Sequence, residues 1–506
     1  MAADFADEAF VEEDENDCDI IIVGAGLTGL TCAYNILKKE IGLEVLILEA
    51  NNEVGGRILS KNFSDTYHAN FLQKRVTNLL ETLHINIEQT HSKSNENVLY
   101  TKGKPLQTLP TFYAAEVHSF LQTIEENTIN FKLDNSNEDI KDIARTSVEQ
   151  LLRKIVSVPY ARSLCRAYIC STCSIRNLNN ISALWFLVIL NGASGLFNRL
   201  KVMIGDSNRY FVQGGMIKIA QELLKNILRH HGEIRYAEPV NKIIVNDERV
   251  HVFTENNHFR CQFVVVAVPP LMQNRIIIEP SSRCLMNNLH ASNENVFFNI
   301  VHKKSPWNDS STKNIVTTWD SSNNLNIVYD ASHGNTKEFV LAGFLTESNV
   351  IQTHKKGLFD TLNDCYKTTE TLEYLQYKEY DESLINDQIK VGCPMSVVRP
   401  SSFGSYIECI NSPYERILFA SSEYAANWPG TIDGAIQAGE NTATAILLRT
   451  RPQILTPQEL SRISPGIRKI ITKEDVSVFL KMYIIQYLGI LLNVIVFISF
   501  LRIAYN

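Results

Sequence analysis

A short unit near the N-terminus constrains the fold of this chain more than any other feature. An apolar run, Asp19–Val23, leads into the residues GAGLTG, a helix-like segment and a second apolar run, Glu44–Leu48. The order strand, glycine-rich turn, helix and strand is typical of the first part of a doubly wound sheet. The sequence therefore predicts an α/β protein that begins with a Rossmann-like unit.

The glycines of this unit each have a physical role in binding a dinucleotide. Gly24 permits the tight turn, Gly26 lets a pyrophosphate approach the backbone, and Gly29 lets helix and strand pack closely. The helix N-terminus adds unpaired amides and the positive end of its dipole. Glu49, which ends the second run, can accept hydrogen bonds from ribose hydroxyls. The alternative is a glycine-rich turn without a ligand, and the complete set of parts favours dinucleotide binding.

A second glycine pair follows directly and helps to choose between NAD and FAD. The residues after Glu49 read ANNEVGGRILS and contain Gly55, Gly56 and Arg57. A further glycine turn with a fixed cation suits a longer cofactor whose pyrophosphate needs additional contacts. These residues therefore favour FAD.

A second candidate cofactor segment lies far along the chain. The apolar run Ile417–Ala420 ends in small residues and Glu423, and a helix is predicted from about Thr431. The N-terminus of that helix could face the pyrimidine side of a flavin, where its dipole would stabilise the negative charge of the reduced ring. An ordinary amphipathic surface helix is the alternative.

These motifs together resemble the flavin amine oxidase superfamily, and the resemblance covers nearly the whole chain. It extends through SALWFL at 182–187, YFVQGGM at 210–216, EIRYAEPVNKIIV at 233–245, CQFVVVAVPP at 261–270 and the segment 417–448. Within the superfamily the sequence is similar to the membrane-anchored monoamine oxidases. The resemblance implies that FAD is bound by Gly24, Gly26, Gly29, Glu49, Gly56, Arg57, Val240, Glu423 and Ile432.

The resemblance also implies a division of the chain into interleaved domains. We expect a Rossmann-like FAD-binding domain at 18–100, 210–285 and 405–455, and an α+β substrate domain at 101–209 and 286–404. An acidic disordered tail at 1–17 precedes them, and a linker follows at 456–481.

The far C-terminus carries a different pattern. Residues 482–501 read MYIIQYLGILLNVIVFISFL and contain no charge. As a helix this segment would be about 30 Å long, which matches the hydrocarbon core of a bilayer. We expect a tail anchor with the catalytic bulk in the cytosol, and a buried helix of the globular body is the alternative. The resemblance implies the mitochondrial outer membrane.

Charge and cysteine usage exclude some functions. The formal net charge is −7 without a run of lysines and arginines, so nucleic acid is not an expected partner. Ten scattered cysteines follow no signal peptide, which favours reduced thiols. Cys165, Cys170 and Cys173 form one tight cluster, but they lack the second ligand pair of a zinc finger. We interpret them as buried helix cysteines and expect no metal site, with a metal or redox role as the alternative.

The sequence departs from the monoamine oxidases at the residue that would link FAD covalently. Ser405, in SFGSY, takes the place of the family's cysteine, and a serine cannot form the thioether. We therefore expect noncovalent FAD. A displaced linkage through Cys409 or Cys393 remains the alternative.

The residues expected before the flavin also depart from the family. The resemblance places Tyr406 at one wall of an aromatic cage and Thr431 where the second tyrosine should be. Counting back from Pro306 places Phe298 where the family has a lysine near the flavin N5 atom. The alternative for Phe298 is an ordinary core residue, since apolar side chains are usually buried.

Two functions from different classes follow from these observations. The first is an FAD-dependent oxidase that converts a small amine and oxygen to an aldehyde, ammonia and hydrogen peroxide. The second is a catalytically impaired monoamine-oxidase-like protein that acts as a binding or scaffolding protein. Retention of both cofactor motifs favours the enzyme, whereas loss of the lysine, the cysteine and one cage tyrosine favours the alternative. A lipid bilayer is an expected partner, and a homodimer is left open.

Overall fold

The structure is a computed structural model. It describes residues 16–58, 68–89, 97–101, 104–106, 111–129, 138–173, 177–204, 209–246, 248–273, 275–280, 289–291, 296–302, 315–318, 325–332, 339–345, 358–360, 362, 374–381, 395–402 and 415–462. The residues Cys393, Ser405, Tyr406 and Cys409 and the predicted span at 482–501 lie outside this set.

The strands alternate with helices along the chain. The strands are β1 (Asn16–Val23), β2 (Val45–Leu48), β3 (His68–Asn70), β4 (Ile87–Gln89), β5 (Asn97–Thr101), β6 (Lys104–Leu106), β7 (Arg209–Val212), β8 (Glu233–Arg235), β9 (Lys242–Val245), β10 (Val250–Phe253), β11 (His258–Val266), β12 (Ile277–Glu279), β13 (Leu289–Ala291), β14 (Val296–His302), β15 (Ile315–Thr318), β16 (Leu325–Asp330), β17 (Phe339–Leu345), β18 (Tyr374–Asp381), β19 (Ser396–Val398) and β20 (Ile417–Phe419).

The helices fall into a large central group and a few that flank the first sheet. They are α1 (Leu27–Leu37), α2 (Lys74–Thr82), α3 (Thr111–Ile129), α4 (Glu138–Arg145), α5 (Val148–Ile155), α6 (Pro159–Cys173), α7 (Ala183–Gly192), α8 (Leu196–Ile204), α9 (Ile217–Arg229), α10 (Pro270–Gln273), α11 (Ile432–Thr450) and α12 (Pro457–Arg462).

The first sheet has the order β12-β9-β10-β11-β1-β2-β8, and β20 pairs with the C-terminal half of β11. Strand β1 runs parallel to both β2 and β11. Its residues Ile20 and Ile22 pack with α1, α9 and α11, while Ile21 and Val23 pack with β9 to β12. Because both faces are covered, the strand reads as a continuous apolar run rather than an alternating one.

The second sheet has the order β18-β14-β17-β16-β15-β5-β6. It is antiparallel except for the parallel pair β5 and β15. Helices α3 to α8 form a core around Phe120, Trp185 and Phe186, which also includes Tyr329 of β16 and Ala342 of β17. A mixed α/β architecture with two main sheets is therefore confirmed.

The secondary structure differs from the expected domain bounds at three places. The first FAD-binding segment was expected to end at residue 100, but this residue lies in β5, which pairs with β15 of the second sheet. The expected acidic tail at 1–17 overlaps β1, because Asp17 pairs with Arg260 at 2.8 Å and extends that strand. The expected linker at 456–481 begins with α12, because Thr456 and Glu459 cap its N-terminus reciprocally. Lys39, two residues after the end of α1, then forms an ion pair with Glu459 at 2.7 Å.

Within the described ranges, no individual helix is long and apolar enough to cross a membrane. The bent pair Ala183–Gly192 and Leu196–Val202 meets the length and composition requirement, with an angle of 73° between its halves.

Candidate active site

The turn between β1 and α1 is closed too tightly to accept side chains at two of its glycines. Gly24 adopts φ +102°, a left-handed conformation that favours glycine, and its amide donates to the carbonyl of Leu48 at 2.8 Å. A Cβ on Gly29 would overlap the carbonyl oxygen of Gly24. The packing of α1 on this turn thus requires glycine at position 29.

The N-terminus of α1 faces open space. Gly26 is its N-cap, no side chain caps the helix, and its first turn contains no acidic residue. A Cβ built on Gly26 would meet no atom within 4 Å. The second glycine turn lies beside this space, since the amide of Gly55 donates to the carbonyl of Ala25 at 2.9 Å and Gly56 lies over Gly26. A helix end without a side-chain cap, with open space beside Gly26, fits the pyrophosphate of a dinucleotide.

Glu49 lies at the edge of the same cradle and is buried. Its Oε2 accepts from the amide of Ala25 at 2.6 Å, and its Oε1 accepts from the backbone and side-chain nitrogens of Asn51 at 2.9 Å. A carboxylate oxygen can accept more than one hydrogen bond, so acceptor sites remain for ribose hydroxyls. Asn51, which orients the carboxylate, is a residue that sequence reasoning missed.

Val240 lies beside this edge but not in a strand. The segment 233–245, which resembles a single strand of the family, forms β8 and β9 with Val240 between them. Between the two strands, the amide of Glu238 donates to the carbonyl of Glu49 at 3.0 Å. Val240 is partly buried against the cluster that includes Ile21 and Val23.

The N-terminal and C-terminal motifs meet at an ion pair between the partly exposed Arg57 and the buried Glu423. The Nη1 of Arg57 lies 2.7 Å from Oε1 of Glu423, and its Nη2 lies 3.1 Å from Oε2 of the same carboxylate. This bidentate contact joins residues that are 366 positions apart in the sequence. Three serines complete the arrangement: Ser421 and Ser422 donate hydroxyls to Glu423, and Ser396 donates its amide at 3.1 Å.

The surroundings of Glu423 keep it charged. Burial by itself would raise the pKa of this carboxyl, but the Arg57 charge and the surrounding hydrogen bonds outweigh burial and lower it to about 2. The role of Ser396 could not be read from the sequence, because it comes from β19 and has no motif around it.

The turn before α11 is shaped by hydrogen bonds and an unusual backbone angle. Thr431 is the N-cap of α11: its hydroxyl accepts from the amide of Gly434 at 3.3 Å and donates to the carbonyl of Trp428 at 2.7 Å. Trp428 has φ +50°, which is rare for a bulky side chain. Its indole packs against Ala193 and Val202. The hydroxyl of Thr431 thus orders the helix start, and Ile432 is the first residue of that helix.

Asp433 joins α11 to α2, a contact that the sequence did not indicate. Its Oδ1 accepts from the amides of Arg75 and Val76 at 2.8 and 3.2 Å, so it caps the N-terminus of α2 from another helix. Burial raises the pKa of this carboxyl, although the charge of Arg75 opposes the rise. The start of α11 is therefore fixed from two sides, by the turn and by α2.

Phe298 is fully buried in the second sheet. It lies on β14 opposite Gly343 of β17 and Glu379 of β18. Burial agrees with the core interpretation and also with a place in a closed site, so its position relative to a flavin stays a prediction. Tyr406, which was expected at one wall of the aromatic cage opposite Thr431, falls outside the described residues.

The cysteine cluster lies on α6 inside the core. Cys165, Cys170 and Cys173 are buried among apolar side chains. Burial raises the pKa of the Cys165 thiol to about 12 and of the Cys173 thiol to about 11, so both are protonated at neutral pH. The described part of the chain contains no group of three or more His, Cys, Asp or Glu side chains that could hold a metal ion.

The cradle at α1, the second glycine turn and the ion pair to the C-terminal motif define a dinucleotide-binding protein of the flavoprotein type. The family model for flavin-containing amine oxidoreductases matches residues 27–447. The chain belongs to this family. It is a flavin-dependent amine oxidase whose cofactor is FAD, and the predicted family and enzyme class are confirmed.

Two curated relatives illustrate the relationship. Flavin-containing amine oxidase A of Canis lupus familiaris is 24% identical over 467 residues, covering 85% of each chain. Flavin-containing amine oxidase B of Rattus norvegicus is 24% identical over 459 residues, covering 85% of this chain and 86% of that one.

Solved structures share the fold. A putrescine oxidase variant redesigned for cofactor binding has a TM-score of 0.76 at 19% identity, covering 86% of this chain and 100% of that chain. Cyclohexylamine oxidase from Brevibacterium oxydans IH-35A has a TM-score of 0.74 at 18% identity, with coverages of 86% and 99%.

Proposed function

We propose that this chain is a membrane-anchored oxidase of small amines that holds FAD without a covalent bond. The observation that carries the proposal is the Arg57–Glu423 ion pair, because it joins the second glycine turn to the segment that leads into α11. Bound FAD would supply the redox chemistry, namely the two-electron oxidation of the amine to an imine and the reduction of oxygen to hydrogen peroxide. Water then converts the imine to aldehyde and ammonia.

The protein's own groups bind and orient rather than exchange protons. The amides at the N-terminus of α1 hold the pyrophosphate, and Glu49 accepts from the ribose hydroxyls. The N-terminus of α11 stabilises negative charge on the pyrimidine side of the ring. The family resemblance places Tyr406 and Thr431 at the two walls of the substrate approach, where a threonine leaves more space than a tyrosine would.

An absorbance spectrum of the purified protein followed by a peroxide assay tests this function. We expect a flavin spectrum and peroxide release with at least one primary amine from a panel that includes putrescine and cyclohexylamine. A protein that carries FAD but releases no peroxide with any amine would favour a binding or scaffolding role. The binding or scaffolding role is considered because Phe298 stands where the family resemblance expects the lysine near the flavin N5 atom.

Noncovalent binding is tested by denaturation. Since Ser405 cannot form a thioether, acid or heat should release FAD into the supernatant. Yellow colour that stays with precipitated protein would contradict noncovalent binding, and Cys409→Ser and Cys393→Ser variants would then identify the linking residue.

The position of Phe298 is tested by one substitution. If its ring lies near the flavin N5 atom, Phe298→Lys should restore a positive charge that helps oxygen accept electrons, and flavin reoxidation should become faster. If Phe298 is only a core residue, the buried unpaired lysine should destabilise the fold by several kcal/mol, roughly. A folded, FAD-loaded variant with an unchanged reoxidation rate would reject the placement.

Membrane anchoring is tested by truncation. A chain that ends before Met482 should leave the membrane fraction, and residues 482–501 fused to a soluble reporter should enter it. The mitochondrial outer membrane is proposed from the family resemblance, and co-fractionation of the full chain with another organelle would contradict it.

A further inference from the structure

Arg199 on α8 is a fully buried cation. Its side chain donates from Nε to the carbonyl of Thr172 and from Nη1 to the carbonyl of Pro429, each at 3.2 Å. Its Nη2 lies 3.9 Å from the Sδ atom of Met395. Of the residues that the structure describes, none brings a carboxylate within 4.0 Å of this guanidinium. Arg199 therefore uses its donors on neutral acceptors.

A buried charge without a counter-charge is costly, so an arginine here needs a physical reason. An apolar side chain would fill the same space without desolvating a cation. Burial lowers the pKa of Arg199 to about 10, so the group is still charged at neutral pH. Unlike an apolar side chain, the arginine guanidinium holds several N–H donors in one rigid plane, and these donors reach two backbone segments at once.

One of those segments is the turn before α11. Pro429 lies between Trp428 at φ +50° and Gly430 at φ +72°, and the turn ends at the N-cap Thr431. Besides the internal hydrogen bond from the Thr431 hydroxyl to Trp428, two hydrogen bonds to residues outside the turn hold it: the Trp428 amide donates to the Gly192 carbonyl at 2.9 Å and the Gly430 amide donates to the Ser422 carbonyl at 3.0 Å. The carbonyl of Pro429 is held by Arg199 from the side of the helical core.

Met395 contacts both the Trp428–Thr431 turn and Arg199. Its side chain lies directly under Gly430, where a Cβ would overlap the sulfur, and its sulfur also faces Arg199. The next residue, Ser396, donates to Glu423. The segment at 395–396 and Arg199 thus support the turn and the ion pair from one side.

We infer that Arg199 is a positioning residue that holds the Trp428–Thr431 turn so that the N-terminus of α11 lies against the flavin. This inference rests on the proposed placement of α11 at the pyrimidine side of FAD. Without Arg199 the turn loses one of its three hydrogen bonds to residues outside it, and the N-terminus of α11 is held less firmly against the reduced ring. The effect should be larger for reduced than for oxidised FAD, because only the reduced ring carries the negative charge.

Three variants of the full chain test the inference. Arg199→Met keeps length and apolar packing but removes every donor, and Arg199→Lys keeps the charge with a single donor group. Thr172→Val is the matched control: it lies on α6 beside Arg199, its hydroxyl contacts only α6, and its carbonyl remains in place. The readouts are FAD affinity by fluorescence titration, the flavin midpoint potential and the thermal stability of the FAD-free protein.

We expect Arg199→Met to bind reduced FAD about tenfold more weakly relative to oxidised FAD, as is common when the groups behind a binding element are removed. For a two-electron couple this corresponds to a midpoint potential lowered by about 30 mV. Arg199→Lys should fall between Arg199→Met and wild type, and Thr172→Val should match wild type in potential.

If Arg199→Met loses thermal stability but keeps the potential of Thr172→Val, Arg199 is structural only and the inference is overturned. If Arg199→Met does not fold, Arg199→Lys decides: a potential equal to that of the control overturns the inference, and a lowered potential supports it. If wild-type protein itself binds no FAD, the proposed function fails and the inference falls with it.

Discussion

Replacing Gly26 by valine should abolish FAD binding while leaving the protein folded. Gly26 has φ −71° and ψ 173°, an extended conformation that any residue adopts, and a Cβ there meets no atom within 4 Å. The folded, FAD-free protein therefore loses only the difference between glycine and valine at an N-cap, which is about 1 kcal/mol or less. The new side chain fills the space into which the pyrophosphate must come.

The expected loss of affinity follows from the contacts that valine prevents. A hydrogen bond from a backbone amide to a charged phosphate contributes roughly 1.5 to 3 kcal/mol. If the side chain displaces the pyrophosphate from two amides at the start of α1, the loss is about 3 to 6 kcal/mol. Since each 1.4 kcal/mol is a factor of about ten, FAD should bind at least about 100-fold more weakly.

The assay compares Gly26→Val with Gly29→Ala. Both are measured for bound flavin after gel filtration and for thermal stability without FAD. Gly29→Ala places a Cβ against the carbonyl oxygen of Gly24, so it should destabilise the FAD-free protein itself. A Gly26→Val protein that retains FAD within tenfold of the wild-type affinity would refute the cradle as the pyrophosphate site.

We expect measurable losses of stability or of its pH dependence from three further substitutions. The pKa of Glu423 is lowered from 4.5 to about 2, so its ionisation contributes about 3 kcal/mol to the free energy of unfolding above pH 5. This contribution is lost as the pH falls from about 4.5 towards 2. In urea unfolding between pH 7 and pH 3, the free energy of unfolding should therefore fall less for Glu423→Gln than for wild type. Gly192→Ala puts a Cβ 2.6 Å from Cδ of Pro429, and it should cost roughly 1 to 3 kcal/mol in thermal denaturation. Thr431→Ala removes the N-cap of α11 and should cost about 1 kcal/mol in the same measurement, whereas an unchanged midpoint would contradict the capping role.

The sequence predicted the parts of the fold that local pattern determines. Strands β1 and β2 follow from continuous apolar runs, and the start of α11 lies at Ile432, within the region expected from Thr431 onwards. Val240 shows where local pattern fails. The family resemblance suggests one strand at 233–245, but the segment forms two strands, and between them the amides of Ala237 and Glu238 donate to the carbonyls of Asn51 and Glu49.

The contacts that complete the site come from segments with no motif of their own. Ser396 donates to Glu423 from β19, and Asp433 caps α2 from a position 357 residues beyond Val76. Such contacts depend on how the two sheets and their helices meet. Neither periodicity nor residue spacing encodes that arrangement, so these residues could not be predicted from one sequence.

The Arg57–Glu423 pair changes how the charge of the cofactor is balanced. From the sequence, Arg57 was expected as a fixed cation for the pyrophosphate, but the structure places a buried carboxylate against both of its terminal nitrogens. The pair as a unit has no net charge, and removing one partner would leave the other charge unpaired. At the proposed site, the negative charge of the pyrophosphate would therefore be balanced mainly by backbone amides and by the dipole of α1. For this reason space at Gly26 matters more for FAD affinity than the charge of Arg57, whose substitution should act first on the stability of the protein.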